Sequence, residues 1–275
     1  MTGYGAVHTP CRLASLMYHE VTNDPSTSGF QRPAARRYAH TPELFGRHLD
    51  EIALGGLAPE RVDQVEMQLP GRHLLLTFDD GGRSARYAAD ELLKRGWAGH
   101  FFIVTSRIGG DTFLSASDIC QMRRDGHLIG SHSHTHPDIF RDGTRRLMLE
   151  EWRVSAKILE DLLGEPCQAA AVPGGDISPE VLESARDAGY RYLFTSEPWI
   201  MPWLIGGCWI VGRVCLKAGT PPETVAALTQ FRGWGRARLV RALKDVARYG
   251  LGPLYRMYVA HTTRAEEPPV RAAGP

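Results

Sequence analysis

Leu74–Gly82 reads LLLTFDDGG, and its pattern decides how the rest of the chain is to be understood. Three consecutive leucines, extended by Thr77 and Phe78, make a short apolar run with β-favouring residues at its end. Such a run reads as a strand covered on both faces, as in a parallel sheet flanked by helices. It stops at two adjacent carboxylates, Asp79 and Asp80, followed by Gly81 and Gly82. Charged groups at the end of a buried strand are costly unless a cation or a proton in transit partners them. The carboxyl ends of strands are also where α/β folds build their active sites. On this stretch alone, a helix cap or a plain glycine turn accounts for the pair equally well.

On either side, strand and helix patterns alternate. Residues 1–14 read as a loose arm, and Ser15–Tyr18 as a first short strand ending in His19 and Glu20. After a polar loop over Thr22–His40, Thr41 caps a helix with Pro42 at its first position. Past the central strand come a helix over Ser84–Arg95, a strand over His100–Val104, a short helix capped by Ser117 and a strand over Gly126–Gly130. The longest helix runs from about Thr144 to Leu163, with Leu147, Trp152, Ile158, Leu159 and Leu162 as its buried face. A strand at Gln168–Val172, a helix from Ser178, and strands at Tyr190–Thr195 and Trp209–Leu216 follow. This alternation predicts βαβ units around a parallel sheet or barrel.

Composition narrows the class. A chain of 275 residues with 43% hydrophobic and 23% charged residues fits a soluble globular protein with one large core. The net charge of +1 gives no global argument for a nucleic-acid partner. Five cysteines without a C-x-x-C pair are neither a disulfide framework nor a cysteine zinc site, and fit a reducing compartment. With no leader pattern at the start and no apolar run near the roughly 20 residues of a membrane span, the expectation is cytoplasmic. The chain divides into a barrel over 1–220 and a helical, arginine-rich tail over 221–275, with Arg264–Pro275 expected to be disordered. In the tail Arg232, Arg236, Arg238, Arg241, Lys244 and Arg248 alternate with Trp234, Leu239, Val240, Leu243 and Val246. That pattern suits a solvated helix packed on the barrel, or a surface helix making peripheral contact with anionic lipid or a phosphate-bearing substrate.

A second motif gives the acidic pair a partner. Ser131–Pro137 reads SHSHTHP, and His132 and His136 have the H-x3-H spacing common among zinc ligands. Two imidazoles and one carboxylate leave coordination positions open, as in a catalytic divalent site. The order TFDDG, then an H-S-x-x-H-P motif some fifty residues on, resembles the polysaccharide deacetylases, carbohydrate esterase family 4. Gly99–Phe102 and Gly126–Gly130 resemble the text that flanks those motifs, and Tyr18-His19 resembles a first-strand signature of a branch acting on exopolysaccharides.

The resemblance covers about residues 15–215 and implies a distorted (β/α) barrel of about seven parallel strands. It implies that Asp80, His132 and His136 bind one divalent metal ion and that Asp79 is the general base. Zinc is favoured by the imidazole ligands, while cobalt, nickel, manganese or iron also fit. The implied reaction removes an N-acetyl or similar N-acyl group from an amino sugar in a glycan, glycoconjugate or sugar intermediate, in biosynthesis. Two departures stand out. The family's R-x-P-Y-G motif is Ala171–Gly175 here, with alanine for the arginine and Gly174 for the tyrosine, whose backbone N–H would still serve the oxyanion. The late strand Trp209–Leu216 lacks the family's general-acid histidine, leaving His19 and then His134 as candidate proton donors. His134, Pro173 and Trp199 are candidates for holding the substrate. Competing readings are a non-catalytic glycan- or membrane-binding relative and a two-histidine, one-carboxylate iron oxygenase, the latter disfavoured by the ligand order.

Overall fold

The computed structural model describes residues 10–250. The expectations for residues 1–9 and 251–275 lie outside them. In chain order the strands are β1 (Cys11–Tyr18), β2 (Glu20–Val21), β3 (Ala39–His40), β4 (Gly71–Phe78), β5 (His100–Ile103), β6 (Leu128–Ser131), β7 (Ala169–Ala171), β8 (Tyr192–Phe194), β9 (Trp203–Ile205), β10 (Cys208–Val211) and β11 (Val214–Cys215). The helices are α1 (Pro42–Leu54), α2 (Ala85–Leu93), α3 (Ala116–Arg124), α4 (Arg145–Leu163), α5 (Pro179–Asp187), α6 (Pro222–Thr229) and α7 (Trp234–Gly250).

The main sheet has the order β11-β1-β4-β5-β6-β7-β8-β10-β9. From β4 to β8 each strand lies beside its predecessor through a helical crossover, the arrangement expected of βαβ units. Every pairing in this sheet is parallel except β9 with β10, so eight parallel strands carry one antiparallel edge strand. The curled, mostly parallel sheet matches the expected barrel class, with more strands than the seven anticipated. Trp209–Leu216 is not one strand: β10 bonds to β8, and after Gly212-Arg213 the same segment bonds to β1 as β11. This bent segment joins the two flanks of the sheet. Gly212 permits the bend, because a Cβ there would run into the backbone of Glu197 and Trp199.

Alternation along the strands sorts the core into two faces. Leu74, Leu76 and Phe78 pack outward with Phe45, Leu49 and Ile52 of α1 and Ala88 and Leu92 of α2. Leu75 faces inward with Leu13, Phe102, Ala171, Phe194 and Val211, and Val62, Val65 and Met67 join that inner cluster near the strands' N-terminal ends. Thr77 and Asp79 continue the inward row of Leu75 toward the C-terminal end. Val225, Leu228 and Trp234 share the outer core with β1 and α1, so the segment after residue 220 is packed on the barrel at least as far as Trp234.

Some local expectations need correction. β1 starts at Cys11, not Ser15, and pairs with β4 along its whole length; Arg12 hides the strand in the sequence, and its guanidinium sits over the Phe231 ring. α3 is capped by Ser115, not Ser117, because Ser115 and Asp118 satisfy each other's backbone N–H groups in a capping box. Leu147 is 43% exposed, while Met148 and Trp152 take the buried face of α4. β9 had no counterpart in the sequence reading. Thr41 caps α1 as expected, and Thr144 and Ser178, the expected starts of α4 and α5, prove to be their caps, each side chain accepting a hydrogen bond from the third residue on.

Candidate metal centre and active site

The register of the sheet assembles the site. β1 and β4 pair up to Tyr18 opposite Phe78, and Asp79 N–H continues the ladder to the Tyr18 carbonyl at 3.0 Å. His19 therefore leaves β1 beside the acidic pair. His132 follows β6 directly and donates its backbone N–H to the Ile103 carbonyl at 2.8 Å. Asp79 and Asp80 thus sit at the C-terminal end of β4 and His132 at that of β6, with β5 between, on the edge of the sheet where α/β folds place chemistry.

Asp80 Oδ1 lies 3.5 Å from His132 Nε2 and 3.7 Å from His136 Nε2. One ligand atom from each of the three falls within 4.8 Å of the others, a separation one metal ion can bridge. His132 Nδ1 is 2.9 Å from the Ala171 carbonyl, so Nδ1 carries the proton and Nε2 presents its lone pair to the centre. The backbone is bent to achieve this. Among the described residues four non-glycine residues have positive φ, and Asp80 (77°), Ser133 (65°) and His136 (58°) are three of them. Left-handed conformations at such residues cost energy and cluster at functional sites.

The electrostatics favour a cation. Burial first, then the charges of Asp79 and Glu20, push the Asp80 carboxyl well above its ordinary range. Burial and neighbouring His132 hold His136 well below the usual imidazole value, and its Nδ1 is buried without a partner. A divalent ion would oppose both trends, stabilising the carboxylate and the neutral imidazoles. The donor set, one carboxylate oxygen and two imidazole nitrogens, fits zinc or a similar transition metal.

Asp79, whose Oδ2 lies 3.8 Å from His132 Nε2, is gripped from its other side by a residue the sequence reading passed over. Arg213, with no solvent exposure, donates from Nη1 to Asp79 Oδ1 at 2.6 Å and from Nη2 to Oδ2 at 2.9 Å. Its Nη1 also reaches Thr77 Oγ1 at 3.1 Å, and its Nε the Thr195 carbonyl at 3.0 Å. Burial works to raise the Asp79 carboxyl, but Arg213, with His132 and His19, outweighs it and holds the group at about 2. Arg213 lies between β10 and β11, whereas the resemblance puts the family's arginine at position 171, in β7. The signal was present: an arginine inside the apolar run WIVGRVCL needs a buried acid.

The remaining predicted residues divide. His19 is brought to the site: Asp79, His132 and Arg213 all act on its charge, its ring stacks on Tyr38 at 4.7 Å, and its Nδ1 is buried without a partner. Burial chiefly holds this imidazole at about 4, against the pull of Asp79. Pro173 and Gly174 form a turn just beyond Ala171, with Gly174 at φ 67°. His134 is not brought into the trio; its Nδ1 is 3.0 Å from Thr105 Oγ1 and its backbone N–H bonds to Glu151. Glu151, on α4, also takes the N–H and hydroxyl of Thr135, and so fixes the turn between the two histidines. Trp199 lies outside the trio, edge-on to Trp203 at 5.8 Å and facing α7 across a cleft.

Comparison with known proteins finds relatives of this fold. The polysaccharide deacetylase family profile matches residues 66–193, a span that contains Asp79, Asp80, His132 and His136 but neither His19 nor Arg213. The solved structure of IcaB from Ammonifex degensii is 28% identical, with a TM-score of 0.67 over 81% of this chain and 98% of that one. Streptococcus pyogenes deacetylase PplD, solved in complex with acetate, shares the fold at 22% identity and a TM-score of 0.68, over 79% of this chain and 97% of that one. A peptidoglycan-N-acetylmuramic acid deacetylase, PdaA of Bacillus subtilis (strain 168), is 25% identical over 183 residues, covering 66% of this chain and 64% of PdaA. The chain spans less than two thirds of the length of the curated relatives it matches, 62% and 64%. The chain is thus similar to the polysaccharide deacetylases over residues 66–193, the span that contains the acidic pair and the two histidines, and shares its curled sheet with IcaB.

Proposed function

We propose that the chain is a metal-dependent hydrolase that removes an N-acetyl or similar N-acyl group from an amino sugar in a glycan, glycoconjugate or sugar intermediate, in the service of biosynthesis. One observation carries this reading: Asp80 converges with His132 and His136 while Asp79, beside them, is clamped as a carboxylate by Arg213. PdaA, whose name describes deacetylation of an amino sugar, supports the substrate class.

Asp80, His132 and His136 would hold the cation, zinc being the favoured occupant. When bound, a divalent ion polarises an acyl carbonyl and lowers the pKa of a water toward about 7. The chain's own groups do the rest. Asp79 stays ionised through the neutral range because Arg213 holds both its oxygens, so it is ready to accept a proton from water. Each Asp79 oxygen retains a lone pair that Arg213 does not use. The Gly174 N–H is the proposed donor to the oxyanion, as the resemblance implies. His19 is the proposed donor to the departing amine. It is neutral in the resting site, and the negative charge that develops during attack would raise its affinity for the proton. Arg213 also weakens the case for a non-catalytic relative, since a binding module has no use for a clamped base beside a metal-ligand trio.

The test pairs metal analysis with release of acetate or formate from amino sugars. Asp79→Asn should lower turnover at least about a hundredfold and leave metal content unchanged. Asp80→Asn and His132→Ala should lose the metal and the activity together. If Asp79→Asn lost metal as readily as Asp80→Asn, the division of labour between the two carboxylates would be wrong.

A further inference from the structure

α7 presents an apolar stripe that nothing in the described barrel covers. Leu239 is 62% exposed, Leu243 62% and Val246 71%, with Val240 beside them at 45%. At about 100° per residue, Leu239, Leu243 and Val246 fall within about 60° of one another, on the side opposite Trp234, Ala237 and Arg241. That opposite side anchors the helix. Trp234 is buried and donates from its indole N–H to the Leu228 carbonyl at 2.9 Å, while Arg241 binds Asp176 at 2.7 Å and Glu197 at 2.8 Å. The stripe therefore faces away from the rest of the described residues as a consequence of how the helix is fastened.

The stripe has a basic border and an aromatic neighbour. Arg236 and Arg238 are exposed beside it, and the α7 sequence carries five basic residues against one acidic, Asp245. Leu239 and Arg238 line one wall of an open cleft of about 510 Å³, and Trp199 lines the other. Trp199 meets Trp203, which is 37% exposed between the still more exposed Met201 and Leu204. Apolar side chains in one stripe, arginines on its borders and tryptophan at the edge are the features of a helix lying in a membrane interface. Among the described residues no helix is long and apolar enough to cross a membrane, so this surface would lie on a bilayer.

We propose that the outer face of α7, with the adjoining edge around Trp203, docks the chain on an anionic lipid bilayer. Charge decides between this and a second copy. Pairing two such faces about a two-fold axis would set basic borders against basic borders, whereas an anionic surface complements both. The same helix is tied through Arg241 to Asp176, next to the Pro173–Gly175 turn, and to Glu197, whose carbonyl accepts the Arg213 N–H at 2.9 Å. Docking would thus bring the bilayer to the helix that braces the loops flanking the metal-ligand trio. The inference concerns the surface, and it stands or falls independently of the deacetylase reading.

Co-sedimentation of the full chain with vesicles tests it, using phosphatidylcholine alone and phosphatidylcholine with about 30% phosphatidylglycerol. Binding to the anionic vesicles should be at least about tenfold stronger, and should weaken between about 0.1 and 0.5 M salt. The double variant Leu243→Asp/Val246→Asp should bind at least about tenfold less, with an unchanged circular dichroism spectrum and melting temperature. Arg236→Glu/Arg238→Glu should abolish the preference for anionic lipid. Equal binding to both vesicle types, binding to neither, or full binding by the Leu243→Asp/Val246→Asp variant would overturn the proposal. A concentration-dependent dimer lost in that variant, without vesicle binding, would assign the face to a second copy.

Discussion

Arg213 places two guanidinium N–H groups on the two oxygens of Asp79 from a position closed to solvent, with the Phe102 and Phe194 rings within 6 Å of its guanidinium. A buried ion pair of this kind contributes little when compared with a well-packed apolar pair, yet breaking it strands a charge. Arg213→Met should therefore destabilise the fold by about 3–5 kcal/mol in urea titrations. Arg213→Lys, which keeps the charge but loses the planar fork, should recover part of the stability and less of the turnover. Equal stability of the Arg213→Met variant and the parent would show that Asp79 is neutral in the folded protein. Asp79, Asp80, His132 and His136 were legible because the proposed metal and base chemistry would demand those residue types beside strand ends. Arg213 was passed over although its apolar surroundings carry a signal, because the family pattern directs attention to position 171 for an arginine and to the last strand for a histidine. The positive φ of Asp80 and His136 was hidden, since neither side chain advertises a left-handed backbone.

α4 does more than cover the sheet. Glu151 projects from it into the turn Ser133–His136 and accepts the His134 and Thr135 N–H groups at 2.9 and 2.7 Å and the Thr135 hydroxyl at 2.6 Å. Removing the carboxylate takes the acceptor from two partly buried N–H groups and frees the residues that set the distance from His132 to His136. Glu151→Ala should weaken metal binding about 10- to 100-fold, measured by competition with a chelating dye, while Glu151→Gln should fall between the two. An unchanged affinity would mean that the turn is held without Glu151, by Ser131 Oγ on the Ser133 N–H, Ser133 Oγ on the His136 N–H, and the Thr105 and Ser106 N–H groups on the Ser133 and His134 carbonyls. On an amphipathic helix Glu151 looks like any other polar position, so this function cannot be read from the 3.6-residue period. The helices themselves were readable because their caps have mechanisms: Thr41, Thr144 and Ser178 each precede a run of helical spacing. Strands were harder. β9 is three half-exposed or exposed residues whose only strand partner among the described residues is β10, and nothing in Trp-Leu-Ile alone distinguishes it from the loop around it.

At the scale of the whole molecule, the alternation of strands and helices made the curled parallel sheet legible, but its closure was not. That depends on one segment changing partners from β8 to β1 at Gly212-Arg213, a long-range choice that local pattern does not encode. The inner core carries a further consequence for stability. His100 is fully buried, with Nδ1 2.9 Å from the Leu76 carbonyl and Nε2 accepting the Val62 N–H at 2.8 Å, so the ring is neutral and both nitrogens are occupied. Burial, above all, holds it at about 4, and His40 is held at about 4 by burial and by His48. In the unfolded chain a histidine titrates near 6.5. Between about pH 6.5 and 4 the unfolded state therefore binds more protons, and stability falls as pH falls. His100 contributes its full share above about pH 6.5 and loses about 3 kcal/mol of it by about pH 4. Urea titrations at intervals across this window should show His100→Gln, whose amide can donate to Leu76 and accept from Val62, losing less stability on acidification than the parent. The difference in slope should approach about 1.4 kcal/mol per pH unit, and because both proteins carry the same metal-ligand trio, loss of metal in acid cancels in the comparison. Parallel curves would mean that His100 keeps its ordinary affinity for protons in the fold, and that the connection carrying Val62 does not seal it from water.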